Sequence, residues 1–522
     1  VAVFLFFLLY LACKKISAKE KSVYCGLLLL FFASFSVNAL NFIWHGLHYP
    51  NSLPCRQSFI YIFLMLFVCF RAFQYLRDIP RHHVAAAFWG SVCFVILAEK
   101  LVEQEHFHFA VYYVAILFLA AYTGLIYLYK KRRRELAAFL ALALVAVEAA
   151  VNTTVTSVTT TSREAYTRDN KEVQALMEKL EPAEDFYRVE KKTRKTKNDG
   201  AWMNFPSVSL FSSTANADLT KFFKRMGCEA STNAYSITGS TPLVDSLLSV
   251  RYALYSEYIP NTDLVNYIQE SGGTYLYENL YTLPLGFVLP YDLADNWQYQ
   301  MENPAEVQND LCLLLGTDDV LVPVETEVSG SGCTFTADMA GEYYVYIQNK
   351  KVKNVKASLP SGEKNFSNVD RGYLLEMGNL SEGSRITLTP GESGETLTAA
   401  VYRFSPRAMI QVYDRLSQSP LHLDSWRDTK LTGTVTAAES GTLFLSIPYD
   451  EGWTITIDGQ PAEGEKILEA FLSVPVEAGT HEISLTYMPG GLIPGVVISG
   501  ASAAVLVLLW IVKRRRPGQA GV

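Results

Sequence analysis

KKRRRELAAFLALALVAVEAAVNTTVTSVTTTSREAYTRDN, Lys130–Asn170, changes character twice within 41 residues. Five basic residues come first, and a charge-free run from Leu136 to Val147 follows. At Asn152 the text turns polar and β-branched. A basic cluster alone is compatible with a nucleic-acid patch. Set against an apolar run of this kind, it reads as a topology anchor, because basic connectors stay on the cytoplasmic side of a membrane. The stretch therefore predicts a helix that leaves the cytoplasm at Arg134 and delivers the chain to the other side near Asn152.

The same pattern extends in both directions. Val23–Ile43, Ser58–Phe70, Val84–Ala98, Phe109–Tyr129 and Leu492–Val512 carry no charged residue. A hydrocarbon core of about 30 Å needs roughly 20 apolar helical residues, and most of these runs reach or approach that length. Val1–Ala12 is too short and begins without methionine, so it is expected to be the tail of a helix whose start is missing. Seven spans result, six of them within 1–151, the first truncated.

Basic residues then set the sides. Lys14, Lys15, Lys19 and Lys21 share one connector, Arg71, Arg77 and Arg81 another, and Lys513–Arg516 follow the last run. The alternate connectors, Trp44–Gln57 and Glu99–His108, hold only Arg56 and Lys100. Residues 152–490 are thus expected outside the cytoplasm, and the C-terminal tail inside. The net charge of −7 is mild for 522 residues and points to no nucleic-acid partner. Eight cysteines show neither metal spacing nor a CxxC pair. Cys228, Cys312 and Cys333 fall in the outer region, where three thiols allow at most one disulfide among themselves.

Within 152–490 the pattern changes once more. Glu172–Leu180 reads as a helix, DFYRVE (Asp185–Glu190) as a strand, and Ala217–Met226 as a helix opened near Asn216 and Asp218 and closed by Gly227. Pro242–Ser249 reads as a helix running into the strand RYALY (Arg251–Tyr255). Alternating strands and helices predict an α/β or α+β domain over 152–328. From 329 to 490 short alternating runs such as EYYVYIQ, RITLTP, GTLFLSIP and HEISLTY predict a β-sandwich. WTITIDG ends on Asp458–Gly459, a hairpin signal, and Trp453 reads as a sheet-packing residue. The fold class is mixed: a multi-span α-helical membrane domain (1–151), two extracytoplasmic domains, and a final span with a basic tail (491–522).

The chemistry is expected in WHGLHYPNSLPCR, Trp44–Arg56, which packs two histidines, two prolines, an asparagine and an arginine between apolar runs. Pro50 and Pro54 deny this loop a regular helix. Irregular backbone at membrane level belongs where it is buried in protein or lines a wet cavity. With EKLVEQEHFH (Glu99–His108), the loop gathers His45, His48, Asn51, Arg56, Glu99, Glu103, Glu105, His106 and His108 on one side. Of these, His45, His48, Asn51, Arg56, Glu103 and Glu105, together with Tyr49, are the expected binding residues. Arg56 suits a phosphate through its planar fork, and the histidines and glutamates suit proton transfer or a divalent metal. The plainer readings are interfacial aromatics for Trp44 and Tyr49, solvated carboxylates for Glu103 and Glu105, and a snorkelling Glu148.

WHGLHYPNSLPCRQSFIY resembles the signature of the YfhO family of bacterial multi-pass membrane proteins. SLFSSTANADLTKFFKRMG, STPLVDSLLSVRYALY and the membrane-proximal GWTITIDG resemble that family's outer region. The resemblance covers nearly the whole chain. It implies similarity to the large multi-spanning glycosyltransferases of the GT-C class, which use lipid-phosphate sugar donors. It further implies a bacterial plasma-membrane protein acting on a cell-envelope polymer such as a teichoic acid. The expected partners are the bilayer, a polyprenyl-phosphate sugar and that polymer, and a divalent cofactor stays open. In such enzymes the catalytic carboxylate lies on an early outer loop, so the resemblance places the base before Val1. Two alternatives remain: a non-catalytic membrane protein with glycan-binding or scaffolding domains, and a transporter. The charge-free centres of the spans argue against the transporter.

Overall fold

The structure, a computed structural model, describes residues 2–48, 55–102, 109–131, 133–156, 162–180, 186–297, 301–392 and 394–515. Two compact units divide the chain, Val1–Tyr166 and Thr167–Val522.

The first unit is a helical bundle of α1 (Ala2–Ala12), α2 (Ala18–Ser36), α3 (Asn38–Trp44), α4 (Ser58–Gln74), α5 (Arg81–Leu101), α6 (Ala110–Lys130) and α7 (Arg134–Thr156). Helices α5, α6 and α7, with Leu492–Arg515 of the second unit, are long and apolar enough to cross a membrane. Bent α2 and α3 make a fifth if they count as one span. Among the described residues, α1 and α4 are apolar but shorter. One expectation is corrected here. Val23–Ile43 does not run straight: the axis turns by 104° at Val37, between α2 and α3. Hydropathy counts apolar residues and carries no information about axis direction.

Short connectors make neighbouring helices antiparallel, so the bundle has two ends. At one end Lys21 Nζ donates to the carbonyls of Leu11 and Cys13, satisfying the orphan acceptors that close α1. There too Arg71 on α4 grips Glu20 on α2 at 2.8 and 3.1 Å. At the other end α2 and α4 meet again through Ser34 and Gln57. Helix α1 lies in the middle, with Leu5 and Leu9 fully buried among Val68, Ala72, Val84 and Leu119. The outward faces carry exposed Leu29, Phe63, Leu97 and Leu142. Apolar surface of this extent is what a bilayer covers.

The second unit combines helices with several sheets. Asn216 accepts from the amides of Asp218 and Leu219 and opens the helix Ala217–Arg225, and Gly227 (φ +83°) closes it. The helix buries Leu219, Phe222 and Phe223 in the main core. Strand Arg188–Lys191 pairs parallel with Val250–Tyr255, and two antiparallel strands complete that sheet. Arg188 donates to Leu248 O, Ser446 Oγ and Ser446 O, fastening this sheet to a strand 258 residues further on.

Where one sandwich is expected, two packed sheet pairs appear. The first buries Phe335, Val355, Ile386 and Leu388 of one sheet against Tyr343, Val345, Leu375 and Val401 of the other. The second buries Leu431, Val435, Ile483 and Leu485 against Leu443, Leu445, Leu472 and Val474. Helix Pro406–Leu416 stands between them in sequence. Strand Gly286–Leu289 crosses the expected 328/329 boundary to pair with Gly441–Pro448. The Asp458–Gly459 turn forms the hairpin read from sequence, with positive φ at both residues. Trp453 is half-buried against Tyr487 at 4.9 Å, in a sheet-packing role. All eight cysteines are free thiols, and burial pushes the Cys228 thiol far up its range.

Candidate functional site

The bend at Val37 sets up the site. It swings α3 away from the axis of α2, so that α3 ends where the WHGLH segment begins. Trp44 Nε1 donates to Ser34 Oγ at 3.0 Å, and its ring stands 4.8 Å from that of Phe31. Ser34 Oγ in turn donates to Leu30 O at 2.7 Å. At the other end of the loop, Gln57 Nε2 donates to Ser34 O at 3.4 Å. Ser34 is fully buried. Both ends of Trp44–Gln57 are therefore tied to one serine on α2.

Three polar atoms at this place have no hydrogen-bond partner among the described residues: Asn41 Oδ1, His45 Nε2 and Gln57 Oε1. His45 Nδ1 lies 2.7 Å from Asn41 O, and since a carbonyl oxygen only accepts, Nδ1 is the donor in that bond. A buried polar atom left unpaired costs about 1–3 kcal/mol. Backbone strain sits beside it. Leu47 and Cys55 both hold φ near +62°, in the left-handed region that side chains with a Cβ avoid. Such residues cost of order 1–3 kcal/mol each and gather at functional sites.

His45 is half-buried, while His48 and Arg56 are exposed near the two ends of the loop. Tyr49, Asn51, Glu103, Glu105, His106 and His108 lie outside the described residues. Glu99 faces Lys100 at 3.3 Å. Glu148, read as a snorkelling carboxylate, accepts from Tyr122 of α6 at 2.5 Å. Among the described residues no group of three or more His, Cys, Asp or Glu is placed to hold a metal ion. Reasoning from sequence missed Ser34, Asn41 and Gln57. Polar residues inside or beside apolar runs are the signal that was present for them.

The second unit has a charged centre of its own. Glu229 meets Arg194 Nη2 at 2.7 Å, Lys197 Nζ at 3.0 Å and Arg371 Nη1 at 2.8 Å. Burial works to raise the Glu229 carboxyl, but the three cations hold it below the ordinary range. Lys191 and Lys192 of the same basic run pair with Asp169 and Asp245. The run Lys191–Lys197 is thus knitted into the fold. A separate cleft of about 320 Å³ is lined by Phe186, Arg251, Glu278, Tyr413 and His422, among others.

Comparison with known proteins follows the same lines. The family described as "Bacterial membrane protein YfhO" matches residues 1–322 and 324–499. A curated relative, "Uncharacterized protein YfhO" of Bacillus subtilis (strain 168), is 30% identical over 94 residues. That match covers 18% of this chain and 11% of the relative. Among solved structures, arabinofuranosyltransferase AftD from Mycobacteria aligns over 50% of this chain and 28% of its own, at 9% identity and a TM-score of 0.14. A cupin 2 conserved barrel domain protein from Leptotrichia buccalis aligns over 32% of this chain and 89% of its own, at 13% identity and a TM-score of 0.09. Both scores are too low to bear on the fold. The family match spans both units, from the first helix into the final one, and the chain belongs to the YfhO family of bacterial membrane proteins.

Proposed function

We propose that the whole protein is a glycosyltransferase that moves a sugar from a polyprenyl-phosphate donor to a cell-envelope polymer such as a teichoic acid. The reaction runs at the extracytoplasmic face of the bacterial plasma membrane. In this reading the loop end of the bundle and residues 152–490 face outward, and the C-terminal tail is cytoplasmic. The observation that supports it is the strained loop whose ends are fastened to Ser34, where a ring nitrogen of His45 and two amide oxygens have no hydrogen-bond partner among the described residues.

The acceptor hydroxyl oxygen attacks the anomeric carbon, the carbon–oxygen bond to phosphate breaks, and the phosphate leaves with the electron pair. Arg56 stabilises the charge that develops on that phosphate. His45, through Nε2, and His48 orient the donor or the acceptor hydroxyl. Tyr49, Asn51, Glu103 and Glu105 belong to the same proposed surface. The base that takes the hydroxyl proton is left unassigned.

The test is polymer glycosylation in cells that carry the full-length gene, its deletion, or Arg56→Ala, His45→Ala or His48→Ala, scored by the mass of the extracted polymer. Loss of a sugar-sized mass in the deletion and the variants, with each variant still in the membrane, is the expected result. Normal activity in all three variants sinks the assignment. The second reading, a non-catalytic glycan-binding or scaffolding protein, draws on the Phe186–His422 cleft, which sets aromatic rings beside the Arg251–Glu278 ion pair. It predicts an unchanged polymer mass in the deletion.

A further inference from the structure

We propose that the end of the bundle away from the loop carries a second site, which binds a lipid headgroup bearing two negative phosphate charges. A cavity of about 550 Å³ there is lined by Arg77, Arg81, Lys130 and Arg134. They come from two chain reversals: Arg77 and Arg81 from the turn between α4 and α5, Lys130 and Arg134 from the turn between α6 and α7. No carboxylate among the described residues lines it. Asp78 in the same turn and Glu135 beside Arg134 are the nearest acidic residues in sequence, and both are exposed.

Two of the four cations are already held in place. Lys130 Nζ donates to Leu76 O, Arg77 O and Ile79 O at 2.8, 3.0 and 2.7 Å. The Arg77 guanidinium lies over the Tyr129 ring, 5.4 Å from its centre. Arg81 and Arg134 occupy the first turns of α5 and α7, where the helix macrodipole disfavours a cation. Four like charges are thus kept together against both effects, and an anion relieves both.

A neighbouring cavity at the same end provides the contrast. It is lined by Glu20 and Arg71, among others, and there the arginine is neutralised from within by a two-pronged bond to the carboxylate. Among the described residues the four-cation cavity has no such hydrogen-bonded carboxylate, and the Asp78 carboxylate in the same turn acts on Lys130 only through space. Its position favours a lipid over a soluble anion. The 21 residues of α5 separate it from the loop end by about 30 Å, the thickness of the hydrocarbon core, which sets it at headgroup depth.

The experiment uses the full chain in detergent micelles, with native mass spectrometry reading binding of added cardiolipin, phosphatidylglycerol or inorganic pyrophosphate. One cardiolipin is expected per chain, bound more tightly than phosphatidylglycerol. Arg77→Gln/Arg81→Gln/Arg134→Gln is expected to weaken it about a thousandfold, since each charge-assisted bond is worth about a factor of ten. Lys14→Gln/Lys15→Gln/Lys19→Gln removes three exposed charges at the same end and is expected to change affinity less than about threefold, if those charges attract only diffusely. Lys130 stays unchanged because it caps backbone carbonyls. Should the triple arginine variant misfold, Arg134→Gln alone, which relieves a helix N-terminus, is expected to lose about tenfold. Equal losses in the arginine and lysine variants overturn the site. Equal binding of phosphatidylglycerol overturns the charge assignment, and pyrophosphate bound as tightly as cardiolipin overturns the lipid source.

Discussion

Ser34→Ala is the most informative single change, because one oxygen fastens the start of the loop. The substitution removes the acceptor for Trp44 Nε1 and leaves Ser34 O free to keep its bond from Gln57. It also removes a hydroxyl that bonds its own helix at Leu30 O, which costs α2 little. Trp44 is 40% exposed as a residue, so the loss falls in the lower part of the range for an unmade hydrogen bond, about 1–2 kcal/mol. That amount multiplies the open population of the loop by roughly 5–30. Hydrogen exchange of the backbone amides from Phe42 to Ile60 is expected to accelerate by this factor. Exchange in α5 and α6 is expected to stay as it was, and polymer modification to fall with the closed population. Unchanged exchange in that window refutes the idea that Ser34 holds the loop. Faster exchange with full activity separates the closed loop from the chemistry.

Glu229→Gln is expected to lower the stability of the Thr167–Val522 unit by about 3–5 kcal/mol, because it leaves Arg194, Lys197 and Arg371 clustered without their anion. Arg371→Gln, at the more exposed edge, is expected to cost about 1 kcal/mol, and equal denaturation midpoints for the two variants contradict this ranking. Burial, with the Glu376 carboxylate adding to it, pushes the Glu342 carboxyl up to about 7, while Lys192 and the Tyr344 hydroxyl oppose the rise and Asp245 adds to it. The folded state then holds a proton that the unfolded chain has released, so this group's contribution weakens as pH rises from about 4.5 to about 7, by up to about 3 kcal/mol. Glu342→Gln keeps an acceptor for the Tyr344 hydroxyl and is expected to flatten that part of the stability–pH curve. An unaltered slope between pH 5 and pH 7.5 counts against it.

Much of the molecule is legible one element at a time. The helix Ala217–Arg225 is written in its own ends, Asn216 with two amides to cap and Gly227 with the left-handed turn that closes it. The Asp458–Gly459 turn specifies its hairpin because few residue pairs take positive φ twice in a row. The apolar runs announce bundle helices because a bilayer selects on composition and length. The candidate loop is legible as an excess of polar residues, yet its fastening is not. Ser34 lies 10 residues before Trp44 and 23 before Gln57, and nothing local states that both will reach it.

The sequence by itself thus determined the membrane helices, the change of character after Val151, the short strands and the unusual loop between Trp44 and Arg56. Each depends on interactions between residues a few positions apart, which periodicity and turn chemistry report directly. Tertiary structure decided the 104° turn at Val37, the second sheet pair, the crossing of Gly286–Leu289 to Gly441–Pro448, and the four-cation cavity. These depend on which distant surfaces meet. An alternating strand buries its apolar face equally well against many partners, and a cation near a helix end shows neither a carbonyl nor another cation beside it until the helices pack.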